Sequence, residues 1–419
     1  MWTPLGADPV SEPAAPREPR DGVPPLICDA KSLAAFASAV AQGSGPLALD
    51  AERASGYRYS QRAYLVQARR EGAGTALIDP IAVDDLACLQ EASAGVEWIL
   101  HAATQDLPCL AEVGLRPARL FDTELAGRLL GRERVSLAAL AESELGEHLQ
   151  KGHGSADWSL RPLTTEQLRY AALDVEWLIE LRNHLAASLD EAGKRDWAEQ
   201  EFTALLDFTP RDRGEDPWRR TSGIHRLRKP RSLAVVRSLW LARDDVARRV
   251  DVAPGRVLPD ASIVAAASAM PDSLDALLAI KEFTGRGQVR RARTWWSAIE
   301  QARALPDSDL PLTSPPVSSP PPPRSWADRD PGAWKRLQEA RAGLAAASEQ
   351  YQVPVENLLS PDLVRRICWE PPTGEPGAAV RRALAEGGAR PWQMDLGVPI
   401  LAAALDQAST ADSVTAAGP

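Results

Sequence analysis

The sequence predicts an α/β domain followed by one or two all-α domains, and three observations support this fold class. Short apolar segments alternate with helical periodicity between residues 23 and 208. After Pro210 the hydrophobic pattern is helical only, first over residues 212–304 and again over residues 330–407. A proline-rich segment, PDSDLPLTSPPVSSPPPP, separates these two helical parts.

The first part contains four predicted strands and four predicted helices. Apolar segments at residues 47–49, 64–67, 76–78 and 98–100 are typical of short buried strands. Helical patterns begin near Asp106, Thr123, Leu137 and Thr165. Residues 1–22 are rich in proline and charge without periodicity, so we expect a disordered lead before this domain.

The second part is predicted to hold helices over residues 231–250, 260–269, 273–279 and 286–304. We expect residues 305–329 to form a stiff, extended linker that does not pack, and residues 408–419 to form a disordered tail. The segments VAPGRVLPD and VPVENLLSPD align with one insertion. This match suggests a diverged repeat of one helical domain, although a generic helix start after proline explains it nearly as well.

Length, composition and charge narrow the function classes. A chain of 419 residues with 44% hydrophobic and 25% charged residues fits a soluble protein of two or three domains. It lacks long apolar runs and a secretion signal pattern, so membrane and secreted classes are disfavoured. Four scattered cysteines exclude a zinc ribbon and a disulfide scaffold, and they predict a cytoplasmic location.

Charge is distributed unevenly along the chain. The net charge is −9, which alone would disfavour a nucleic-acid-binding protein. Residues 211–303, however, hold 19 Lys and Arg against 11 Asp and Glu. This pattern indicates an acidic body joined to a basic helical module.

The strongest chemical signal is a set of acids at the ends of predicted elements. Asp50 and Glu52 stand two residues apart at the end of a strand, so both side chains point to one face. Two carboxylates on one face repel each other unless a cation lies between them. Taken alone, the pair could equally be a solvated strand end.

Two further segments add acids to this set. In WILHAATQDLPCL a buried strand ends at His101, and Asp106 lies in the first turn of the next helix. Asp106 alone could simply interact with the helix dipole, and His101 is a more typical orienting residue than metal ligand. In LTTEQLRYAALDVEWLIEL, Thr165 caps a helix on which Tyr170 and Asp174 share one face.

Together the acids Asp50, Glu52, Asp106 and Asp174 indicate a metal site. Hard carboxylate oxygens without a cluster of Cys or His suit Mg²⁺ or Mn²⁺. Two such ions about 4 Å apart promote in-line hydrolysis of a phosphodiester. A phenol one turn from a carboxylate is suited to holding the attacking water.

These segments resemble a known family. D-x-E, then H-A-x-x-x-D-L, then Y-x-x-x-D is similar to the three exonuclease motifs of the tyrosine-bearing branch of the DEDD superfamily. The segments HAATQDL, FDTELAGRLLG and KGHGSADWSLRPLTTEQLRYAALDVEWL resemble ribonuclease D. The basic helical module resembles the HRDC (helicase and ribonuclease D C-terminal) domain. The resemblance covers about residues 25–304.

The resemblance implies a 3′→5′ exoribonuclease with an RNase H-like fold that releases nucleoside 5′-monophosphates from RNA 3′ ends, such as those of tRNA precursors. It implies that the four acids bind two divalent ions, Mg²⁺ or Mn²⁺, and that Tyr170 positions the nucleophilic water. It further implies that Gln67 lies near the terminal nucleotide and that His101 orients the site. Residues of the substrate groove would be Lys151, Asp157 and Trp158.

The chain departs from the family after Glu52, where Arg53 and Ala54 replace the usual bulky apolar residues. This departure concerns how the 3′-terminal base is held, and it leaves the metal site intact. The Pro-rich segment and the second helical part match the family in outline only.

The basic module has two clusters that could contact RNA. One holds Arg226, Arg228 and Lys229, and the other holds Arg290 and Arg291 beside Trp295 and Trp296. Arginines beside aromatic rings can follow phosphates and stack on bases. The alternative is a solvated helix surface, and one tryptophan of the adjacent pair is expected in the core.

One other function class is excluded by the sequence, and two compete with this interpretation. The chain lacks G-x-x-x-x-G-K-[ST], so the HRDC-like module does not make it a helicase motor. A DNA-directed 3′→5′ exonuclease would use the same acids. A nucleic-acid-binding scaffold without catalysis is disfavoured by the intact acid set. The sequence leaves open the RNA substrate, the oligomeric state and the role of residues 330–407.

Overall fold

The computed structural model describes residues 18–149, 156–210, 214–314 and 320–415, with side chains described to residue 406. Its first domain is built on a mixed sheet. The strands are β1 (Leu26–Ile27), β2 (Ser44–Arg53), β3 (Ala63–Glu71), β4 (Gly74–Ile78), β5 (Glu97–Leu100) and β6 (Arg119–Asp122). They lie in the order β1-β4-β3-β2-β5-β6, with β3 antiparallel to both of its neighbours.

The α/β fold class is confirmed, and the four predicted strands correspond to β2, β3, β4 and β5. Two strands were not predicted. β1 has two residues, too few for a periodic pattern, and β6 has four residues, of which the first is an exposed arginine. Both pair at the sheet edges, where parallel partners at β4 and β5 supply their hydrogen bonds.

Helices cover the sheet and carry parts of the site. They are α1 (Ala30–Gln42), α2 (Ala87–Ala92), α3 (Leu107–Glu112), α4 (Thr123–Leu129), α5 (Leu137–Leu145), α6 (Thr165–Glu176), α7 (Leu178–Glu191) and α8 (Arg195–Leu206). Helix α6 packs across β2, β3 and β4. Its N-cap is Thr164, one residue before the predicted cap, because Thr164 Oγ1 accepts the Gln167 N–H and Gln167 Oε1 accepts the Thr164 N–H.

The basic module is all-helical, as predicted. Its helices are α9 (Pro230–Val250), α10 (Pro254–Val257), α11 (Asp260–Ala269), α12 (Leu274–Leu278), α13 (Arg286–Arg290) and α14 (Ala292–Ala304). The predicted helix over residues 286–304 is interrupted at Arg291, which leaves the helical conformation at φ −108° and ψ 15°. A separate core of Leu239, Ile263, Phe283 and Trp295 holds this domain together.

The C-terminal part contains α15 (Trp326–Arg329), α16 (Pro331–Tyr351), α17 (Val355–Leu358), α18 (Pro361–Trp369), α19 (Pro376–Glu386) and α20 (Pro391–Thr415). The prediction of a disordered tail from residue 408 is therefore wrong for residues 408–415, whose backbone continues helix α20. Its buried residues join one hydrophobic core with the first domain, in which Leu337, Leu344 and Leu401 lie with Leu185 and Phe202. The C-terminal domain therefore packs on the exonuclease-like domain, which answers a question the sequence left open.

The two helical domains repeat one local geometry. Helices α9 and α16 each have 21 residues, and each ends at a left-handed residue, Asp251 at φ 46° or Gln352 at φ 50°. A four-residue helix and then a longer helix follow in both domains. The diverged repeat stays a prediction, since α15 precedes α16 and the later helices differ in length: α12 and α13 have 5 residues each, whereas α19 has 11 and α20 has 25.

The segment predicted as an unpacked linker is packed at both ends. Arg231 donates to the Leu305 carbonyl and to Asp307 (2.6 Å), and Arg219 donates to the Leu312 carbonyl at 3.1 Å. Trp326 is fully buried, and its Nε1–H donates to the Pro321 carbonyl at 2.7 Å. A tryptophan side chain buries about 150–250 Å², and this burial anchors the described residues next to Pro321. Residues 315–319 lie outside the described residues.

The described end of the predicted disordered lead, residues 18–22, also packs on the domain. The Arg20 N–H and Nε donate to Glu176 Oε1 at 2.7 and 3.2 Å, and the guanidinium carbon lies 3.8 Å from the centroid of the Trp177 ring. Because Glu176 is buried, Arg20 supplies the positive charge that this carboxylate requires. Among the described helices, none combines the length and hydropathy needed to cross a membrane.

Candidate active site

Strand β2 presents two acids on the sheet face that α6 covers. Asp50 lies opposite Gln67 of β3 in the ladder, and Glu52 lies opposite Leu65. Asp50 is half-buried and Glu52 is buried. The two-residue spacing therefore places both carboxylates on one face, as the sequence predicts.

Helix α6 brings the second pair of polar side chains to this face. Tyr170 and Asp174 stand one turn apart, and the Tyr170 hydroxyl donates a hydrogen bond to the Asp174 carboxylate. One ligand oxygen from each of Asp50, Glu52 and Asp174 lies within 4.8 Å of the others. Three acids from two distant segments thus form one cluster.

Asp106 lies at the start of α3 and lines the same cavity as the three-acid cluster. The backbone reaches it through Ala102, which adopts a left-handed conformation at φ 58°. The buried Asp122 carboxylate holds this turn, accepting the N–H groups of Ala102 (3.1 Å) and Ala103 (2.8 Å). It also accepts the N–H of Glu124 at the start of α4.

Asp122 is therefore a supporting residue that our sequence reasoning missed. Part of the signal was present, because Asp is a preferred N-cap residue and Asp122 directly precedes the helix predicted to begin near Thr123. Burial raises the pKa of Asp122 to about 6, and the backbone hydrogen bonds oppose this effect. What the sequence could not indicate is that the same carboxylate also holds the turn before Asp106.

His101 lines the cavity and is held by Thr123. The Thr123 hydroxyl lies 2.9 Å from His101 Nδ1 and 3.3 Å from the Leu100 carbonyl, so it hydrogen-bonds the histidine and is able to donate to either partner. Burial lowers the pKa of His101 to about 4, so the ring is neutral near pH 7. The contact with Thr123 fixes the ring through Nδ1, which fits the predicted orienting role.

The five residues predicted to be catalytic, Asp50, Glu52, Asp106, Tyr170 and Asp174, share one cavity of about 520 Å³. Burial raises the pKa of Asp50 to about 6. Burial and repulsion from the neighbouring acids raise the pKa of Glu52 to about 10. The same causes raise the pKa values of Asp106 and Asp174 well above their ordinary range. Burial and these acids also raise the pKa of the Tyr170 phenol.

This donor set fits divalent metal ions. Each carboxylate is penalised by burial, so a cation with oxygen preference would relieve the repulsion that the fold imposes. The positive charge of Arg53 offsets part of the repulsion among the acids, because the field of this guanidinium lowers the pKa values of Asp50, Glu52 and Asp106. The residue that departs from the family pattern thus lies on the cavity wall, near the acids.

Two residues predicted to bind substrate do not lie at the cavity surface. Gln67 is fully buried beneath α6, and neither of its side-chain polar atoms has a hydrogen-bond partner among the described residues. Trp158 is also fully buried, with its ring centroid 6.4 Å from that of Tyr170. We therefore revise both assignments: the two side chains support the site from behind, because the packing of α6 and of residues 156–163 covers them.

The groove segment before α6 is anchored by an arginine. Arg161 donates through Nε and Nη2 to the buried Asp79 carboxylate at 2.6 and 2.7 Å, and through Nη2 to the Tyr64 carbonyl. The Asp157 carboxylate forms local hydrogen bonds, because it accepts the N–H and the hydroxyl hydrogen of Ser159. Lys151, the other predicted groove residue, lies outside the described residues.

The basic residues of the second domain remain candidates for RNA contact. Arg226, Arg228, Lys229 and Arg290 are exposed, and Arg291 is half-buried. Trp295 is fully buried in the core of this domain and donates through Nε1 to the Gln288 carbonyl, whereas Trp296 is half-buried. One tryptophan of the pair is therefore a core residue, as expected.

Comparisons with known proteins agree with this architecture. A family model described as 3'-5' exonuclease matches residues 26–190, and the HRDC domain model matches residues 232–299. A model described as 3' to 5' exonuclease C-terminal domain matches residues 319–405. The C-terminal helical part thus corresponds to a segment that accompanies such exonucleases.

Similarity over more than two thirds of the chain decides the family. The chain is 32% identical to ribonuclease D of Granulibacter bethesdensis, over 70% of this chain and 74% of that protein. It belongs to the ribonuclease D family. Escherichia coli RNase D, described as an exoribonuclease involved in structured RNA processing, matches with 26% identity and a TM-score of 0.65 over 86% of this chain and 98% of that one.

A crystal structure of a protein from Bifidobacterium adolescentis matches this ribonuclease D family member with 38% identity and a TM-score of 0.86. The match covers 93% of this chain and 98% of that chain, so all three parts of the fold are shared. Membership in the ribonuclease D family makes this chain a hydrolytic 3′→5′ exoribonuclease. The family and the acid cluster indicate that it uses a divalent metal.

Proposed function

We propose that this ribonuclease D removes nucleotides one at a time from the 3′ ends of structured RNA, such as tRNA precursors, and uses two divalent ions, Mg²⁺ or Mn²⁺. The observation that supports this proposal most directly is the cluster of Asp50, Glu52 and Asp174, whose ligand oxygens lie within 4.8 Å of one another. Asp106 lines the same cavity and completes the proposed ligand set.

When bound, two divalent ions supply Lewis acidity that activates water and stabilises the leaving oxygen of the scissile phosphodiester. The protein's contribution is to hold the acids in a buried cluster, where carboxylates bind cations strongly. Arg53 adds a fixed positive charge on the cavity wall. A scissile phosphate is negative, so this guanidinium is suited to approach it.

Tyr170 is proposed to position the attacking water. Its phenol is hydrogen-bonded to Asp174, and its raised pKa keeps the proton on oxygen at neutral pH. A protonated phenol is a poor general base but a well-directed donor and acceptor. Neutral His101 is fixed by Thr123 through Nδ1, and its Nε2 is proposed to hydrogen-bond a water or a ribose hydroxyl.

The basic HRDC domain is proposed to retain RNA near the acidic catalytic domain. Its exposed residues Arg226, Arg228, Lys229 and Arg290 can neutralise phosphates, and this binding should weaken with salt. We also propose a cytoplasmic location. The four cysteines are free thiols, a state that a reducing compartment maintains.

The decisive experiment compares RNA hydrolysis by the full-length protein with that of Asp50→Asn and Asp174→Asn. Each change removes a ligand charge at nearly constant shape, so the rate should fall by about 100-fold or more. The matched control is Asp84→Asn, an exposed acid of the same domain outside the cavity. Hydrolysis at the wild-type rate by either site variant, or in excess chelator, would contradict the proposed metal site.

Two rival functions have direct tests. A DNA-directed exonuclease would use the same acids, so matched single-stranded DNA and 3′-extended tRNA must be compared as substrates. A ribonuclease should hydrolyse the RNA faster than the DNA, since the enzyme can bind the 2′-hydroxyl that only RNA carries. A non-catalytic scaffold would bind RNA without shortening it, whatever metal is added.

A further inference from the structure

The loop that joins β2 to β3, residues 54–62, follows directly after Glu52 and Arg53, and we call it the rim loop. Its residues Ser55, Gly56 and Tyr57 line the catalytic cavity. Within the loop, the Ala54 carbonyl accepts the N–H groups of Tyr57 and Arg58 at 2.8 and 2.7 Å. The Ser55 hydroxyl also donates to Gln61 Oε1 at 2.8 Å, and Arg58 Nε donates to the Ser159 hydroxyl of the catalytic domain at 2.8 Å. These contacts leave much of the nine-residue segment to be held by other elements.

The HRDC domain supplies the first contacts near the cavity. The Ala253 N–H donates to the Tyr57 carbonyl at 2.9 Å. Arg256 donates through Nε to the Gly56 carbonyl at 2.7 Å, and its guanidinium carbon lies 4.1 Å from the centroid of the Tyr57 ring. Two residues of the HRDC domain therefore contact the part of the rim loop that lines the cavity.

Further contacts fix the other half of the rim loop. Asp251 accepts the Ser60 N–H through Oδ1 at 2.9 Å. The Tyr59 hydroxyl donates to the Asp244 carboxylate at 3.1 Å, and the Tyr59 ring packs against the core of the HRDC domain. Asp251 ends helix α9 in a left-handed conformation, which aspartate tolerates better than most residues.

We propose that Asp251, Asp244 and Arg256 are positioning residues for catalysis, because they hold the rim loop and with it one wall of the catalytic cavity. The HRDC domain then sets the geometry of the chemical step in addition to retaining RNA. This inference rests on the proposed function of the cavity. Displacement of such a wall by about 1 Å can reduce a rate by as much as 100-fold.

The charges of these residues allow an experiment to distinguish a role in positioning the rim loop from a role in binding RNA. Asp251 and Asp244 are acids, and a carboxylate on a surface that binds phosphates weakens that binding. If the HRDC domain acted only by retaining RNA, loss of the Asp251 carboxylate would improve the affinity for RNA and leave turnover unchanged. If Asp251 holds the rim loop, the same loss reduces turnover, so the two explanations predict different results.

The experiment uses full-length variants and a tetranucleotide RNA. This RNA is too short to reach basic residues far from the cavity, so its binding does not depend on them. Asp251→Gly removes the carboxylate and suits the left-handed backbone at this position. Asp251→Asn keeps an oxygen that can accept the Ser60 N–H. The charge-matched control is Asp245→Ala, since Asp245 is exposed on the same helix and pairs with Arg249.

We expect Asp251→Gly to lower kcat by about tenfold with little change in KM, and Asp251→Asn to retain most of the wild-type kcat. Asp245→Ala should keep the wild-type kcat. Hydrogen exchange provides a readout independent of activity: amides of the rim loop should exchange faster in Asp251→Gly than in the wild type or in Asp245→Ala.

Wild-type kcat and wild-type exchange in Asp251→Gly would overturn the proposal, as would an equal loss of kcat in Asp245→Ala. Arg256→Ala should likewise lower kcat. If Arg256→Ala instead raised KM and made RNA binding less dependent on salt, Arg256 would be assigned to direct phosphate binding, and its positioning role would be overturned. A wild-type protein without metal-dependent RNA hydrolysis would refute the proposed function, and the exchange data would still show whether Asp251 holds the rim loop.

Discussion

Trp392 of α20 stacks on Trp197 of α8, with ring centroids 4.7 Å apart and ring planes inclined by 16°. The Trp392 Nε1–H also donates to the buried Glu201 carboxylate at 3.0 Å. Arg390 pairs with Glu201 at 2.9 Å, so this carboxylate is satisfied from the C-terminal domain. The two domains thus share both apolar and charged contacts in a common core.

We therefore expect Trp392→Ala to destabilise the catalytic domain as well as the C-terminal one. Loss of a buried tryptophan should lower the free energy of unfolding by about 3–5 kcal/mol. Chemical unfolding followed by circular dichroism, together with residual RNA hydrolysis, measures the effect. Leu241→Ala, at an exposed position of α9, is the control and should change little. Unaltered melting of the catalytic domain in Trp392→Ala would show that the two domains unfold independently.

Tyr170→Phe should reduce turnover much more than affinity for RNA. The change removes the hydroxyl that is hydrogen-bonded to Asp174 and leaves the ring that packs near Trp158. Loss of a group that positions the attacking water is expected to lower kcat by about 100-fold. Single-turnover kinetics and equilibrium RNA binding separate the two quantities. Tyr351→Phe, remote from the cavity, is the matched control, and equal losses of rate and affinity in Tyr170→Phe would argue against water positioning.

The ion pair between Asp79 and Arg161 should make stability depend on acid pH. Burial alone would raise the pKa of Asp79, but the hydrogen bonds and charge of Arg161, together with the backbone N–H groups of Ile81 and Ala82, outweigh it and hold this pKa below its ordinary value. A carboxyl whose folded-state pKa is lowered contributes stability above its unfolded pKa of about 4, and that stability is lost as pH falls further.

Asp79→Asn should therefore cost about 2 kcal/mol of unfolding free energy at pH 7 and progressively less below about pH 4. Urea unfolding across this range measures the difference between the wild type and the variant. Asp190→Asn, which breaks the exposed pair with Arg195, is the control and should cost less. A difference for Asp79→Asn that is constant with pH would contradict the assigned cause.

The exposed arginines of the HRDC domain should contribute a salt-dependent part of RNA binding. Arg290→Ala and Arg293→Ala are each expected to weaken binding and to reduce the slope of log Kd against log salt by about 0.7 for each phosphate that the variant no longer neutralises. Fluorescence titration of a 3′-labelled RNA at several salt concentrations tests this expectation. The control is Arg249→Ala, which should change the slope less because the Arg249 side chain pairs with Asp245. Unchanged slopes for Arg290→Ala and Arg293→Ala would exclude these two residues from the RNA-binding surface.

Local pattern alone predicted most of the catalytic set. Alternation along β2 placed Asp50 and Glu52 on one face, and helical spacing placed Tyr170 and Asp174 together, because these relationships depend on backbone geometry within one element. The accessibility of Gln67 and Trp158 could not be predicted in this way. Whether a side chain reaches the cavity or lies beneath a helix depends on what packs over it.

The sequence by itself determined the α/β and helical fold classes, the acids, the phenol and the uneven charge, since each is carried by residue type and short-range period. The tertiary structure alone decided that Asp122 holds the turn before Asp106, that the C-terminal domain shares a core with the catalytic domain, and that Asp251 holds the rim loop. These contacts join residues far apart in the chain, and their formation depends on the packing of whole elements against one another.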